Sequence, residues 1–531
     1  MAQAQLLEGQ SGLPVDNPTK SYWHKEPSSK LLGHRTTKEL PRSADVVIVG
    51  SGITGSFAAH FLKEKQPDLN IVMVEAREAC SGATGRNGGH CQPAIYASEP
   101  HIASFELRNF LYLKSLVEEF SIPCDWRSTS GVHAFYSSKL FENCRAIVDD
   151  LAEHYPDLAA NVAVVTKGKK GEGALSGSPA YLIEGERREL TLDGLRIPHA
   201  EGAIVQWNAA SLWPYKLVAF VLERLLAANE EGSKGSFNLQ TNTPVTGLSR
   251  AETSANLSSP GGSKPPKHNS IWTVHTPRGT IATSQVLLAT NGYTSHLLPQ
   301  FSDLLIPTRG QISALKPPET PTDPTDPPLD IGHTYYVVGE PVDPYARDDY
   351  LVQRPPPTAE LIFGGGRQHA KGRGIGVWDD SSIDEPVAWY LRGELSKAID
   401  LSLHPTHAPS GERKPLLRKL DLEPTFEWSG IMGYTRDAYP WVGSVPPSLG
   451  GGPGLWLCAG YTGHGMPNAV LSARAVVDML LAGDGDDTVE IDLPPEYELT
   501  ERRVDEARRE EEVSVADAKG CLYMDFGPQR G

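Results

Sequence analysis

Cysteine is scarce in this chain, with 6 among 531 residues, and no two of them form a CxxC motif. So sparse a set excludes a disulfide-stapled scaffold and favours a reducing compartment, which we expect to be the cytoplasm. Metal ligands are also sparse, because His90 and Cys91 are adjacent but no second pair stands at finger-like spacing. We therefore predict neither a disulfide framework nor a metal site.

Long apolar runs are missing as well. No stretch approaches the ~18 consecutive apolar residues that span a bilayer. Residues 1–30 lack the apolar core of a secretory signal. We expect no membrane partner.

Basic residues are outnumbered, with 49 Lys and Arg against 66 Asp and Glu and a formal net charge of −17. Because phosphate contact needs clustered Lys and Arg, we expect no nucleic-acid partner. Much of the negative charge falls in residues 484–512, which hold 13 acidic and 4 basic side chains. The remaining chain is only mildly acidic, so its charge says little about a substrate.

The ordered part of the sequence begins with an alternation of strand and helix. Asp45–Val49 is apolar and β-branched, Ile53–Lys65 has helical spacing, and Asn70–Val74 is again strand-like. This order predicts a parallel sheet. Residues 1–43 precede it as a polar extended arm that Tyr22 and Trp23 could anchor. Loops rich in Gly, Pro, Ser and charge predict surface insertions at Lys167–Pro179, Thr253–Ser270, Lys316–Pro328 and His404–Pro415.

The turn between the first strand and the first helix reads Gly50-Ser51-Gly52-Ile53-Thr54-Gly55. In such a turn the first glycine permits the bend, the second admits a pyrophosphate, and the third lets helix and strand pack closely. Glu75 ends the second strand, where a carboxylate accepts hydrogen bonds from the adenosine ribose. These features together predict a dinucleotide site. Glu75 disfavours the 2′-phosphate of NADP, which leaves NAD and FAD.

The segment Arg77–Pro93 is crowded with glycine and can bring many backbone amides onto a charged, planar ligand. With this segment the sequence resembles the FAD-dependent oxidoreductases of the D-amino-acid-oxidase superfamily, in the branch of sarcosine oxidase, glycine oxidase and gamma-glutamylputrescine oxidoreductase. The resemblance covers residues 44–482. It rests further on the segments Leu287–Gly292, Arg309–Gln311 and Leu361–Gly364, on Thr243–Thr246, which resembles the strand whose backbone meets adenine, and on Ala459–Met466, which resembles the flavin loop. By this likeness the amides of the loop and the start of the helix after it face the flavin ring. The likeness also implies that Arg86 and Asn87 serve the pyrophosphate and the ribityl chain.

The resemblance implies an α/β fold, α+β overall, with two interleaved domains. A Rossmann-like FAD domain with a parallel sheet would comprise residues 44–130, 205–300 and 425–485. A substrate domain with a mixed or antiparallel sheet would comprise 131–204 and 301–424. Residues 486–531 would form an acidic tail.

The resemblance also implies which residues meet FAD. They are Gly50, Gly52, Ile53, Thr54, Gly55, Glu75, Ala76, Arg77, Ser81, Thr84, Arg86, Asn87, Gly88, Gly89, His90, Val245, Ala289, Thr290, Asn291, Gly292, Gly433, Gly460, Thr462, Gly463, His464, Gly465 and Met466.

The implied reaction oxidises a carbon–nitrogen bond of a small amine or amino acid by hydride transfer to flavin N5, and the imine product then hydrolyses. The candidate catalytic residues are His90, His464, Tyr336 and Arg367, although each histidine could instead only shape its loop. Further residues that could face a substrate are Tyr335, Arg309, Arg354, His369, Trp428 and Tyr434.

The sequence departs from the sarcosine oxidase pattern at three places. Ile431–Thr435 has no cysteine, so we expect FAD without a thioether link. Met466-Pro467 replaces a substrate-binding lysine, and Leu361–Gly364 lacks the oxygen-activating lysine. The electron acceptor could therefore be O2 or another molecule, and a flavin-binding module without turnover stays as a third hypothesis. We expect a monomer or a weak homo-oligomer.

Overall fold

The computed structural model describes residues 6–169, 171–173, 190–230, 235–252, 270–318, 328–339, 347–403, 420–483 and 490–509. The strands in these residues are β1 (Ser43–Val49), β2 (Ile71–Val74), β3 (His90–Cys91), β4 (Arg127–Phe135), β5 (Val162–Thr166), β6 (Glu172–Gly173), β7 (Gly202–Ser211), β8 (Phe237–Gln240), β9 (Gly247–Glu252), β10 (Ser270–Thr276), β11 (Gly279–Leu288), β12 (Leu305–Leu315), β13 (Thr334–Val338), β14 (Asp348–Gln353), β15 (Leu361–Gly364), β16 (Pro424–Thr435), β17 (Trp441–Ser444) and β18 (Leu455–Ala459). The helices are α1 (Ile53–Lys65), α2 (Pro100–Phe120), α3 (Ser138–His154), α4 (Pro156–Ala159), α5 (Pro214–Glu230), α6 (Thr294–Leu297), α7 (Glu385–Ala398), α8 (Ala469–Ala482) and α9 (Glu501–Arg509).

The first sheet has the strand order β17-β18-β11-β1-β2-β8, and its central pairings are parallel. Its middle strands are continuous apolar runs, as expected of strands that are covered on both faces. On one face, Phe57 and Phe61 of α1 are fully buried in a core that also contains residues of α2, α5 and α8. The predicted strand–helix–strand unit with its parallel sheet is therefore confirmed.

The second sheet is mixed, with the order β16-β12-β15-β14-β13-β4-β7-β5-β6 and a parallel pairing between β13 and β4. Helix α7 covers one face through Val387, Leu391 and Leu395. Helix α3 covers the other face through Phe141 and Val148. Each face of the second sheet thus has its own apolar core. The end of one face that the helices leave uncovered lies opposite the first sheet.

Three segments differ from the sequence-based expectation. Strand β7 and strand β16 belong to the second sheet, although residues 205–211 and 425–435 were placed with the FAD domain. Thr243–Thr246 is not a strand but the irregular connection between β8 and β9, since Pro244 has no amide hydrogen to give a ladder. The sequence pattern of a strand does not show which sheet contains the strand that it pairs with.

Both ends of the described chain pack on the body. Tyr22 and Trp23 are no more than 1% exposed, so the polar arm is anchored as predicted. In α9, Val504 is buried against the first sheet, and the Arg503 guanidinium lies 2.7 Å from the Asp437 carboxylate. The expected acidic tail is thus part of the core at α9, while residues 484–489 and 510–531 lie outside the described residues. The predicted surface insertions fall largely outside them too.

Candidate active site

A cavity of about 330 Å³ lies where the carboxyl ends of β1, β2 and β11 meet the second sheet. The carboxyl edge of a parallel sheet is where open α/β folds bind ligands. Residues of β12, β14 and β16 form the opposite wall, including Gln311, Tyr350 and Met432. The cavity is elongated, because its lining runs from Val74 and Glu75 at one end to His133 and Tyr336 at the other.

In the turn from β1 to α1, two glycines stand where a larger residue would collide with the backbone. Gly50 has φ +106°, and a Cβ there would lie 2.6 Å from the Ala289 carbonyl oxygen. A Cβ at Gly55 would lie 2.0 Å from the Gly50 carbonyl oxygen. The Ile53 amide donates to the Thr84 hydroxyl at 3.0 Å, which ties the helix start to the following loop. The turn therefore brings the backbone to the cavity edge and holds it there.

Glu75 is 8% exposed and already has protein partners. Its Oε2 accepts from the Ser51 amide at 3.0 Å and from the Ser51 hydroxyl at 2.7 Å, and its Oε1 accepts from the Arg77 amide at 3.0 Å. A carboxylate has about four acceptor sites. One site on Oε1 is left for a ribose hydroxyl in the cavity.

Arg77 and Arg86 share one buried partner that the sequence did not indicate. Asp380, fully buried, lies 2.9 Å from Arg77 and 3.2 Å from Arg86. Arg86 also donates to the carbonyl oxygens of Ser81 and Ser429, at 3.2 and 2.7 Å. Burial lowers the pKa of Arg86 to about 10, against the opposing attraction of Asp380. Arg86 therefore lines the cavity, but its N–H groups donate to oxygen atoms of the protein. This arrangement does not favour the expected contact with the pyrophosphate.

The far end of the cavity contains His133, which is buried, and His90, which is partly buried. Burial lowers the pKa of His90 to about 4 and that of His133 to about 3, so both rings are neutral near pH 7. His133 is held by Gln92, at 2.7 Å, and by the hydroxyl of Tyr96. The Nε2 atom of His90 has no hydrogen-bond partner among the described residues. A buried polar atom without a partner at a cavity wall indicates a ligand contact.

The loop after β18 closes the same end. Tyr461 contributes a hydroxyl that lies 2.9 Å from the Thr54 hydroxyl, and the Thr462 amide donates to the Gly433 carbonyl at 2.8 Å. His464 Nε2 lies 3.1 Å from the Glu106 carboxylate on α2. These contacts fix the loop between the glycine turn and the second sheet.

The amino end of α8 differs from the expectation that its amides face a flavin. Asn109 of α2 accepts from the amides of Val470 and Leu471 at 3.1 and 2.9 Å. These first-turn donors are therefore occupied by a side chain. The contacts that remain for a ligand come from Gly463, Gly465 and Met466, which line the cavity.

Most of the residues expected to meet FAD line this cavity, and six do not. The cavity lining includes Gly50, Gly52, Ile53, Thr54, Glu75, Ala76, Arg77, Thr84, Arg86, Asn87, Gly88, His90, Val245, Ala289, Thr290, Asn291, Thr462, Gly463, His464, Gly465 and Met466. Those outside the lining are Gly55, Ser81, Gly89, Gly292, Gly433 and Gly460. Some of these support the wall, since the Gly460 amide donates to the Asn291 side chain at 3.0 Å.

The candidate substrate residues divide in the same way. Tyr336, Arg367 and Tyr434 line the cavity. The others are outside its lining and mostly have protein partners: Tyr335 donates to Leu195, Arg309 pairs with Asp384, Arg354 with Asp125, Trp428 donates to Arg86, and His369 lies beside Tyr390.

Sequence reasoning missed several lining residues. Leu13 and Pro14 of the arm, Tyr293, Tyr350 and His133 all face the cavity. None of them belongs to a motif, and their segments are brought together only by the tertiary fold. Among the described residues there is no cluster that could hold a metal ion, and no helix is long and apolar enough to cross a membrane.

Comparison with known proteins agrees with this geometry. Residues 45–479 match the profile of a family described as FAD dependent oxidoreductase. The probable oxidoreductase OrdL of Rhizobium meliloti (strain 1021) is 22% identical over 459 residues, which are 83% of each chain. Glycine oxidase from Geobacillus kaustophilus is 17% identical with a TM-score of 0.58, covering 87% of this chain and 99% of its own. L-amino acid deaminase from Proteus vulgaris is 17% identical with a TM-score of 0.57, covering 88% and 96%.

The family profile matches more than half of the chain, and the two solved structures share its fold. The chain therefore belongs to the DAO family of FAD-dependent oxidoreductases.

Proposed function

We propose that the protein oxidises a carbon–nitrogen bond of an amine or amino acid, with FAD bound without a covalent link. The observation that carries this proposal is that one cavity joins the glycine turn to an enclosed polar end. That end contains His90, His133, Tyr336 and Arg367. The names of the solved structures support the substrate class, since they include a glycine oxidase, an L-amino acid deaminase and an iminodiacetate oxidase.

The residues present fit FAD. Helix α1 begins at Ile53, and its N-cap, Gly52, has no side chain. Apart from the Ile53 amide, which donates to Thr84, its amino end is open to a pyrophosphate. Glu75 retains an acceptor site for the ribose. At the opposite end the unpaired His90 Nε2 offers one polar contact. In this arrangement Gly50–Thr54 would hold the pyrophosphate, Val245 the adenine, and the loop 462–466 the flavin ring.

Bound FAD supplies an acceptor for the hydride that leaves the carbon next to nitrogen. The protein's part is to enclose, orient and desolvate the reacting molecule. Because the sheet roofs the cavity, it excludes water from the reacting carbon. The neutral histidines add no positive charge there, and His90 Nε2 can hydrogen-bond the nitrogen of the substrate.

Arg367 is the group best placed to bind a carboxylate. Its guanidinium carbon lies 5.0 Å from the centre of the Tyr434 ring, so a ring face supports the cation. Arginine binds carboxylates through paired hydrogen bonds, which would orient an amino acid. The rings of Tyr336 and Tyr434 provide the apolar surface for the remainder of the substrate.

The absence of a covalent link is proposed from the described cysteines, none of which lines the cavity. Cys91, Cys80 and Cys458 are the nearest in sequence to lining residues, and all three are buried. Burial raises the pKa of the Cys458 thiol to about 12. Acid precipitation should release all of the yellow colour into the supernatant. Colour retained in the pellet would contradict this part of the proposal.

The experiment for the reaction is anaerobic bleaching of the bound flavin. The holoprotein is mixed with a panel of primary amines, N-methyl amino acids, and D- and L-amino acids. We expect at least one amine class to bleach the flavin, and readmitted air then distinguishes the acceptors. Fast recolouring with peroxide indicates O2, and slow recolouring indicates another acceptor. A yellow protein that no member bleaches would contradict the proposal.

A further inference from the structure

The amino-terminal arm lies along the outer side of the cavity, where no motif predicted a ligand contact. We propose that residues 11–19 form a strap that closes the adenosine end of the FAD site, so that FAD leaves only after the strap detaches. The proposal rests on the proposed function only for the identity of the cofactor.

The strap meets the cavity at the end where the ribose position lies. Leu13 and Pro14 line the cavity next to Ala76, which directly follows Glu75. A second cavity of about 440 Å³ adjoins it and is lined by residues 13–17, Ala76 and Pro244. Because the two cavities share Leu13, Pro14 and Ala76, the space beside the ribose position continues under the strap. The adenosine half of a dinucleotide is the ligand portion that fits there.

The first fastening of the strap is at its amino end. The Ser11 amide donates to the Ser295 hydroxyl at 2.9 Å, and the two hydroxyl oxygens lie 3.2 Å apart in a buried position. Gly12 packs directly on Trp378, since a Cβ there would lie 2.6 Å from the indole ring. Because only glycine allows this close approach, the contact with Trp378 depends on glycine at position 12.

The second fastening is Thr19. Its amide donates to the Asp380 carbonyl at 2.8 Å, and its hydroxyl accepts from Arg86 at 3.1 Å and from the Ser429 amide at 3.0 Å. Arg86 and Asp380 belong to the buried ion cluster behind the cavity. The strap is thus joined to the cavity wall itself.

Between the two fastenings the strap is open to solvent, with Asp16 and Asn17 exposed. Beyond it, Tyr22 and Trp23 are fixed in the core independently, since Trp23 also accepts from the Trp213 indole at 2.8 Å. The strap has little apolar burial and is held mainly at its two ends, and a segment of this kind opens at lower free energy than the core. Residues 11–19 can therefore lift while Tyr22 and Trp23 stay in place.

The direct test measures the dissociation rate of FAD from the holoprotein through the fluorescence of released flavin. Deletion of residues 1–18 keeps the Tyr22 and Trp23 anchor, and we expect it to raise the rate at least tenfold. Gly12→Val should act in the same direction because its side chain overlaps Trp378. Gly247→Val is the matched control, since a Cβ at Gly247 meets nothing within 4 Å. Its rate should equal that of the wild type.

A disulfide staple provides a test that does not depend on the truncated chain. Ser11→Cys with Ser295→Cys places two sulfurs where the hydroxyl oxygens now lie 3.2 Å apart. We expect FAD to dissociate at least tenfold more slowly from the oxidised variant than from the reduced one. Equal rates in the two redox states, or a wild-type rate after deletion of residues 1–18, would overturn the strap.

These outcomes are separable from those of the proposed function, because no turnover is measured. If the wild-type protein binds FAD but no amine bleaches it, the proposed reaction is contradicted. The strap is still supported in that case if deletion of residues 1–18 releases FAD faster. A wild-type protein that binds no FAD overturns both.

Discussion

The buried cluster of Arg77, Arg86 and Asp380 offers the sharpest test of how the site is held. Asp380→Asn keeps the size of the side chain and removes its charge, which leaves two arginines uncompensated. Their side chains are 7% and 3% exposed, and that of Asp380 is 0% exposed. Removing one partner of a buried pair costs about 3–5 kcal/mol, because the remaining charge stays desolvated.

The assay is chemical unfolding of the apoprotein and holoprotein for the wild type and Asp380→Asn. We expect the apoprotein to lose about 3–5 kcal/mol, in line with a buried pair. The free energy of unfolding of the holoprotein should fall by less, because anionic FAD supplies negative charge in this part of the cavity. Asp492→Asn is the matched control: its pair with Arg108 is 2.7 Å long, but both side chains are about half exposed. Such a pair contributes about 0–1 kcal/mol. A loss of under 1 kcal/mol for Asp380→Asn would refute the reasoning.

Three further predictions follow from named contacts. Gly55→Ala overlaps the Gly50 carbonyl, so it should cost about 1–3 kcal/mol by thermal unfolding and weaken FAD binding; wild-type affinity would contradict it. Asp349 accepts from the Gly366 amide at 3.0 Å beside Arg367 and pairs with buried Arg347 at 2.8 Å. Asp349→Ala should therefore cost about 3–5 kcal/mol of folding free energy, and in the folded protein it should raise KM for a carboxylate substrate roughly tenfold, a loss of about 1.4 kcal/mol of binding, with a smaller change in kcat. His133 is buried in its neutral form, and its pKa is lowered to about 3. Because the unfolded chain takes up the proton at a higher pH than the folded chain, the free energy of unfolding should fall as the pH drops below about 6.5. His133→Gln should make the free energy of unfolding less dependent on pH in this range.

The parts predicted from sequence are those with local signals. The strand Asp45–Val49, the helix Ile53–Lys65 and the position of Glu75 follow from spacing along a short stretch, and the structure has β1, α1 and β2 there. Glycines mark the turn because its backbone lies so close to Ala289 and to its own carbonyls. Geometry of this kind depends on neighbouring residues, so a short stretch of sequence is enough to predict it.

The parts that escaped prediction depend on contacts between distant segments. Leu13 and Asp380 reach the site from positions more than 60 and 300 residues away from Glu75, and neither has a pattern that indicates it. The sheet that β16 joins could not be predicted, because its strand period is the same in either sheet, and only the pairing with β12 places it in the second sheet. The closing of the amino end of α8 could not be predicted, because Asn109 lies 362 residues before Leu471.

The central claim is that the protein removes a hydride from the carbon next to a substrate nitrogen. The most direct measurement is the rate of anaerobic flavin bleaching by an amine from the panel and by the same amine deuterated at that carbon. We expect slower bleaching with the deuterated amine and one equivalent of carbonyl product for each flavin reduced. Equal rates without carbonyl product, or bleaching by hydroxy acids and by no amine, would contradict it.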